Sequence, residues 1–258
     1  MSTRRPQLQA GYVLHHRPYR DTSLVVDVFT RTAGRLALVA RGARRPRASQ
    51  RSLLQPFRPL LLSWRLGGGE MGTLTAVEAD GYPPGLSGDA LMSGFYLNEL
   101  VLRLLGRHDP NEAIFDLYAE TLAALPAGPT APVLRRFEKL LLDGLGYALP
   151  VHETGMDGQT LDPDSRYRFD PESGAWPLAG SEGRGYSGRT LLALARANYD
   201  EPSVQPEMRR LLAEALQPHL GGKPLQTARV MRDLTRRGLR QTRSEPSAND
   251  SDDKGDPS

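Results

Sequence analysis

The spacing of apolar positions changes once along the chain. From residue 9 to residue 80 they come in short runs with a period near two. After Tyr82-Pro83-Pro84-Gly85 they recur every three or four residues. Val13 to His16, Leu24 to Thr30 and Arg35 to Arg41 read as three strands. Thr30-Arg31-Thr32-Ala33-Gly34-Arg35 suits a hairpin turn in which Gly34 takes positive φ. A fourth strand spans Pro56 to Trp64. Its start is confined to an edge or a bulge, because Pro56 and Pro59 cannot donate to a ladder. Gly67-Gly68-Gly69 turns the chain into a fifth strand, Met71 to Ala79. Five short strands with a longer connection between the third and fourth suit an OB-like barrel; a small sandwich or an SH3-like barrel fits the spacing nearly as well.

Beyond the turn, Leu91, Phe95, Leu97, Leu100, Val101 and Leu104 share a helix that Asp89 or Ser87 could cap. A second helix runs from about Asn111 to Leu125 and ends at Pro126. A third has Thr130 as N-cap and Pro132 in its first turn; it buries Val133, Phe137, Leu140, Leu141 and Leu145, and stops at Gly146. Residues 148–186 lack a helical period, with a small hairpin expected at Tyr167-Arg168-Phe169 and Ala175-Trp176-Pro177-Leu178. Helices resume near Ser187–Asn198, Gln205–Leu220 and Gln226–Arg237. From Ser244 the tail is polar and acidic, which predicts disorder. The fold class expected is therefore α+β and multi-domain: a barrel over 1–80, a mainly α-helical domain over 81–243 with an irregular 148–186 insert, and a tail over 244–258.

Charge sharpens this division. The net charge is only +3, yet no acidic residue falls between Asp27 and Glu70, a stretch of 42 residues. Residues 1–80 hold 13 Arg against 5 acids, a net of +8, which leaves about −5 for the remainder. Codon bias could account for Arg over Lys, 30 against 3, but not for the missing acids. The asymmetry points to a polyanion partner for the first part. Alternation puts Leu36 and Leu38 on one face of the third strand and Arg35, Val39 and Arg41 on the other. That basic face would run on into Arg44, Arg45, Arg47 and Arg51. Phe57 and Trp64 are the nearest aromatics for base stacking, so backbone grip should dominate.

Other chemistry finds little support. The absence of cysteine removes disulfides, Cys-based zinc and thiol nucleophiles. Gly67-Gly68-Gly69-Glu70-Met71-Gly72-Thr73 lacks the Lys of a phosphate loop and joins two strands. His15, His16, His108, His152 and His219 have no metal-ligand spacing on one helix face. No Gly-x-Ser-x-Gly elbow occurs. The chain is thus expected to be no enzyme and to need no cofactor or metal. No apolar run reaches the roughly 18 residues of a membrane span, and Met1 to Gln9 lacks a signal-peptide core. No membrane association and a cytoplasmic location, nucleoid-associated when DNA is bound, are expected. Two further basic stretches stand out. Arg229, Arg232, Arg236 and Arg240 recur at helical spacing, and Arg135-Arg136 sit beside the Val133/Phe137 stripe, where guanidinium groups could receive an acidic, hydrophobic peptide end.

Several stretches, in order, carry a resemblance. They are Val13-Leu14-His15-His16-Arg17-Pro18-Tyr19, Thr22-Ser23-Leu24 through Asp27-Val28-Phe29-Thr30, Gly34-Arg35 through Arg41-Gly42-Ala43-Arg44, and Leu54-Gln55-Pro56-Phe57. Leu97-Asn98-Glu99-Leu100, Leu134-Arg135-Arg136-Phe137-Glu138, Leu145-Gly146-Tyr147 and Gly221-Gly222-Lys223-Pro224-Leu225 continue the series. On these the chain resembles the bacterial RecO family of recombination mediators. The resemblance implies an N-terminal OB-fold, a helical C-terminal domain, and binding of single- and double-stranded DNA. It also implies strand annealing, and cooperation with RecR in loading RecA onto DNA coated by single-stranded DNA-binding protein. The acidic C-terminal tail of that coating protein becomes a partner for Arg135 and Arg136. Many members carry a four-Cys zinc element after Leu-Gly-Tyr. Val151 to Leu161 has no Cys, so no zinc carries over, and packing alone should hold that loop. An OB-fold RNA-binding protein of translation or RNA decay is the alternative reading.

Overall fold

A computed structural model describes residues 7–45, 48, 50–178, 185–227 and 229–230. The β-rich part forms β1 (Gln9–Tyr19), β2 (Ser23–Thr30), β3 (Gly34–Ala40), β4 (Leu60–Arg65) and β5 (Gly72–Ala79), closed in the order β1-β2-β3-β5-β4. Neighbours are antiparallel except β3 and β5, which meet in parallel at Leu38–Gly72 and Val39–Thr73. A short helix, α1 (Gln50–Leu53), lies between β3 and β4. This topology is that of an OB-fold rather than a sandwich. Alternation fills the barrel with Val13, Val26, Val28, Leu36, Leu38, Leu60 and Leu62, plus Leu54 from just beyond α1. Closure removes the edge position expected for the fourth strand. β4 instead begins at Leu60, beyond both prolines, and Phe57 turns the approach at φ 68°.

The helical part comprises α2 (Gly88–Leu104), α3 (Glu112–Ala124), α4 (Thr130–Gly144), α5 (Gly188–Ala195) and α6 (Gln205–Leu216). Asn111 caps α3 by accepting from the Ile114 amide at 3.0 Å, and Ser187 caps α5 through the Thr190 amide at 3.2 Å. Thr130 is the first helical residue of α4 rather than its cap, which is Pro129. A small sheet of β6 (Arg166–Asp170), β7 (Gly174–Pro177) and β8 (Tyr186–Ser187) contains the expected hairpin. Glu207 of α6 locks this sheet to α5: it accepts from the Ser187 amide at 2.7 Å, the Ser187 and Thr190 hydroxyls, and Arg166. Burial pushes the Glu207 pKa up, but these donors together outweigh it and hold it at about 2.

The cysteine-free loop is held by more than packing. Thr154 bridges Thr160, the Gly155 amide donates to the Gln159 carbonyl at 2.8 Å, and Arg196 grips Glu153 with two nitrogens at 2.9 and 3.2 Å. Of the Arg-rich C-terminal helix, Arg229 is described and exposed; Arg232, Arg236, Arg240 and the 244–258 tail lie outside the described residues.

Barrel and helices share one apolar joint. Tyr12 and Phe29 pack their rings against Phe115 and Tyr118 with centroids 5.2–6.0 Å apart. The register of β1 against β2 slips between Val13 and His15, and the Leu14 carbonyl there accepts from Asn98 Nδ2 at 2.8 Å. Tyr118 donates to the other end of the same amide at 2.5 Å. Around this core Arg31 forks onto Asp116 at 2.9 and 3.0 Å and reaches Glu112 at 2.8 Å. Gly34, at φ 68°, allows the closest approach: a Cβ there would stand 2.3 Å from the Asp109 carbonyl oxygen.

Candidate nucleic-acid interface

Away from that joint, strand register assembles a basic face. Arg17 of β1 lies opposite Val25 of β2, Val25 opposite Val39 of β3, Val39 opposite Thr73 of β5, and Thr73 opposite Arg65 of β4. Laterally paired residues share a face, so one outward row begins and ends on an exposed arginine. The next row holds His15, Asp27 and Ala37. At the β1–β2 turn, Arg20 is exposed with φ 50°, and its carbonyl accepts from Arg44 Nη1 at 3.3 Å. The Arg44 amide donates to the Thr22 carbonyl at 2.8 Å, which draws the chain after β3 onto this turn. Arg41, Arg44 and Arg45 are all exposed there. Among the described residues, no carboxylate pairs with Arg17, Arg20, Arg41, Arg44, Arg45, Arg51, Arg65 or Arg107. Guanidinium groups gathered without an ion-paired carboxylate form a field that polyanion binding relieves.

The β4–β5 loop and Arg107, from the connection after α2, overhang the two rows. Beneath them lies a cavity of about 450 Å³ lined by Arg17, Val25, Asp27, Ala37, Gly69, Glu70, Met71 and Arg107. The strand 2–3 face with its adjoining loops is where OB-folds take oligonucleotides.

The expected basic residues separate into groups. Arg41, Arg44 and Arg45 border this face, while Arg51 is exposed on α1. Arg47 lies outside the described residues. Arg35 lies on the expected outer strand face but is taken up there by α2: its Nη1 donates to the Leu102 carbonyl at 2.6 Å, its Nε is buried without a partner, and the His108 amide donates to its carbonyl. Burial lowers its pKa and nearby Arg107 adds to the effect, against the pull of Asp27. Arg35 therefore belongs to the joint. Phe57 is likewise unavailable for stacking, since it packs edge-on against Phe95 at 5.0 Å. Arg17, Arg20, Arg65 and Arg107 are the contributions that sequence reading missed. The signal for Arg17 was present in the outward alternation of His15, Arg17 and Tyr19 along β1.

The Arg135-Arg136 pair also divides. Arg135 is buried and donates to Glu138 Oε1 at 2.7 Å, an oxygen that also accepts from Tyr96 at 2.6 Å. Burial raises the Glu138 pKa, opposed by Arg135, the Tyr96 hydroxyl and Arg209. Only Arg136 is presented outward, half-exposed and 3.7 Å from Glu120. Successive helical residues point about 100° apart, so a doublet seldom offers two groups to one ligand.

Sequence comparison supplies the family. The profile described as recombination protein O N terminal matches residues 5–82, and that of recombination protein O C terminal matches residues 86–229. The chain belongs to the RecO family. It is 45% identical over 228 residues to the DNA repair protein RecO of Aromatoleum aromaticum, covering 88% of this chain and 95% of that relative. To the DNA repair protein RecO of Nitrosococcus oceani it is 46% identical over 234 residues, covering 90% and 95%. For that of Thiobacillus denitrificans the figures are 44% over 237 residues, 88% and 92%. The chain is thus a DNA repair protein of this family, with the barrel matched by one profile and the helices by the other. Among the described residues no helix is long and apolar enough to cross a membrane, and no cluster of His, Cys, Asp and Glu is suited to a metal.

Proposed function

We propose that the chain is a non-enzymatic recombination mediator in DNA repair. It binds single- and double-stranded DNA on the arginine-bordered face of the barrel, anneals complementary strands, and helps RecR load RecA onto DNA coated by single-stranded DNA-binding protein. The observation that carries this reading is the outward row from Arg17 to Arg65, flanked by Arg20, Arg41, Arg44 and Arg45, none of them in an ion pair with a carboxylate among the described residues. Phosphates of one strand displace solvent counterions from these groups, and a second strand meets a field already screened. Annealing follows from holding both. Affinity falls steeply with salt and depends little on sequence outside any single pocket.

In the same reading, residues 81–243 carry the partner contacts, and the protein works in the cytoplasm at the nucleoid. The acidic tail of the coating protein docks on α4 beside Arg136, with Arg135 fixing the helix from within through Glu138 rather than touching the peptide. Annealing of complementary strands precoated with single-stranded DNA-binding protein tests both halves. Full coating protein should support annealing, and removal of its last residues should abolish it. Indifference to the truncation would contradict the peptide contact. Failure to anneal even naked strands would contradict the mediator reading.

A further inference from the structure

The cavity beside the arginine row has features that phosphate binding does not use. Its floor is Val25 and Ala37, already 1% and 3% exposed, so the apolar surface left for a base ring to cover is that of the part-exposed Met71. Asp27 stands among them, between Arg17 and Arg107, with the exposed Glu70 of the β4–β5 loop as the other carboxylate of the lining. Its side chain is 17% exposed, its nearest ion partner is His15 Nδ1 at 3.9 Å, and among the described residues its carboxylate accepts no hydrogen bond. A carboxylate here weakens a surface meant only for phosphates. It suits a ligand that brings donors.

From this we infer that the cavity takes one unpaired nucleobase of a bound single strand, with Asp27 as its hydrogen-bond acceptor. The inference rests on the DNA-binding reading above. Arg17 and Arg107, both exposed and both lining the cavity, hold the phosphates on either side of the inserted nucleotide. The carboxylate can only accept. Guanine offers parallel N1–H and N2–H donors to its two oxygens and is the preferred base. Thymine, whose single N3–H is flanked by two carbonyls, is the poorest.

The overhanging loop fits this role. A Cβ added at Gly67, Gly68 or Gly69 meets nothing within 4 Å, and none of the three has positive φ. Neither packing nor backbone conformation within the protein itself requires glycine at these positions. Glycine also permits a ligand to approach the backbone closely, and a strand lying over the cavity would do so.

The test compares a short oligothymidylate with the same oligomer carrying one central guanine, both titrated against the full chain. The guanine oligomer should bind roughly tenfold more tightly, the discrimination expected of a good base-edge contact. Asp27→Ala should reduce that ratio to about one while retaining salt-dependent affinity for oligothymidylate; Asp27→Asn, nearly isosteric, serves if the alanine variant fails to fold. Equal binding of both oligomers by the unaltered chain would overturn the base pocket and leave the arginine interface standing. A guanine preference that survives both substitutions would overturn the role of Asp27. Binding of neither oligomer would remove the interface and the pocket together.

Discussion

The barrel has two arginine-bearing sides that use the same residue type for opposite ends. Toward the helices, Arg31 forks onto Asp116 and Arg35 spends its Nη1 on a carbonyl of α2, so each is consumed by the protein itself. On the other side Arg17, Arg41, Arg45 and Arg65 have no carboxylate partner among the described residues. The difference lies in what the neighbouring element offers. α2 and α3 bring carbonyls and acids within bonding reach of the first group, whereas the acids near the second, Asp21, Asp27 and Glu70, form no ion pair with its arginines among the described residues. Basic residues counted along a sequence therefore overstate a binding surface until the internal pairings have been subtracted.

The comparison breaks most severely at the joint. Phe29→Ala removes the ring that meets Phe115 and Tyr118 and should cost about 3–5 kcal/mol in denaturant unfolding, a typical loss for a buried Phe. The molecules that remain folded should bind DNA with an unaltered salt dependence, because the outward arginines are untouched. Next comes Glu207. Its pKa is depressed to about 2 in the fold against 4.5 ordinarily, so its contribution is present above pH 4.5 and is lost as pH falls toward 2. Glu207→Gln should lose on the order of 3 kcal/mol at neutral pH and show a flatter stability profile across that acid window, followed by circular dichroism.

Smaller changes sharpen the contrast. Arg44→Glu combined with Arg45→Glu should weaken single-stranded DNA binding by roughly tenfold at physiological salt, with two phosphate contacts removed, and leave the melting temperature unchanged. Arg31→Ala should do the reverse on a minor scale. Its exposed ion pairs shift the melting temperature by about a degree or two, and DNA affinity should stay the same in a filter-binding or anisotropy titration.

The sequence made part of the barrel legible: alternation in β3 marked Leu36 and Leu38 as inward and turn chemistry marked the hairpin at Gly34, whereas β2 is buried on both faces and its apolar run marks no inside. The helices were legible through their apolar period, through Ser87 as one of the two cap candidates for α2, and through stops such as Pro126. What escaped depended on which element covers an outer face. Alternation placed Arg35 outward from the barrel correctly, but could not show that α2 waits there. Periodicity likewise could not say that Arg135 turns inward to Glu138. Arg65 and Arg107 were missed for the converse reason: each is isolated in sequence, and only the β3–β5 pairing and the connection after α2 bring them to the face that Arg17 and Arg41 share.

The central claim is that the outward arginines, not the basic content of the domain as a whole, grip the DNA. The salt dependence of oligothymidylate binding by a variant with Arg17, Arg44, Arg45 and Arg65 all changed to Ala tests it most directly. With about 0.7 of slope per phosphate contact on a single strand, the log–log slope should flatten by about three relative to the unaltered chain, while the unfolding midpoint stays in place. A folded variant that keeps the original slope and affinity would contradict the account.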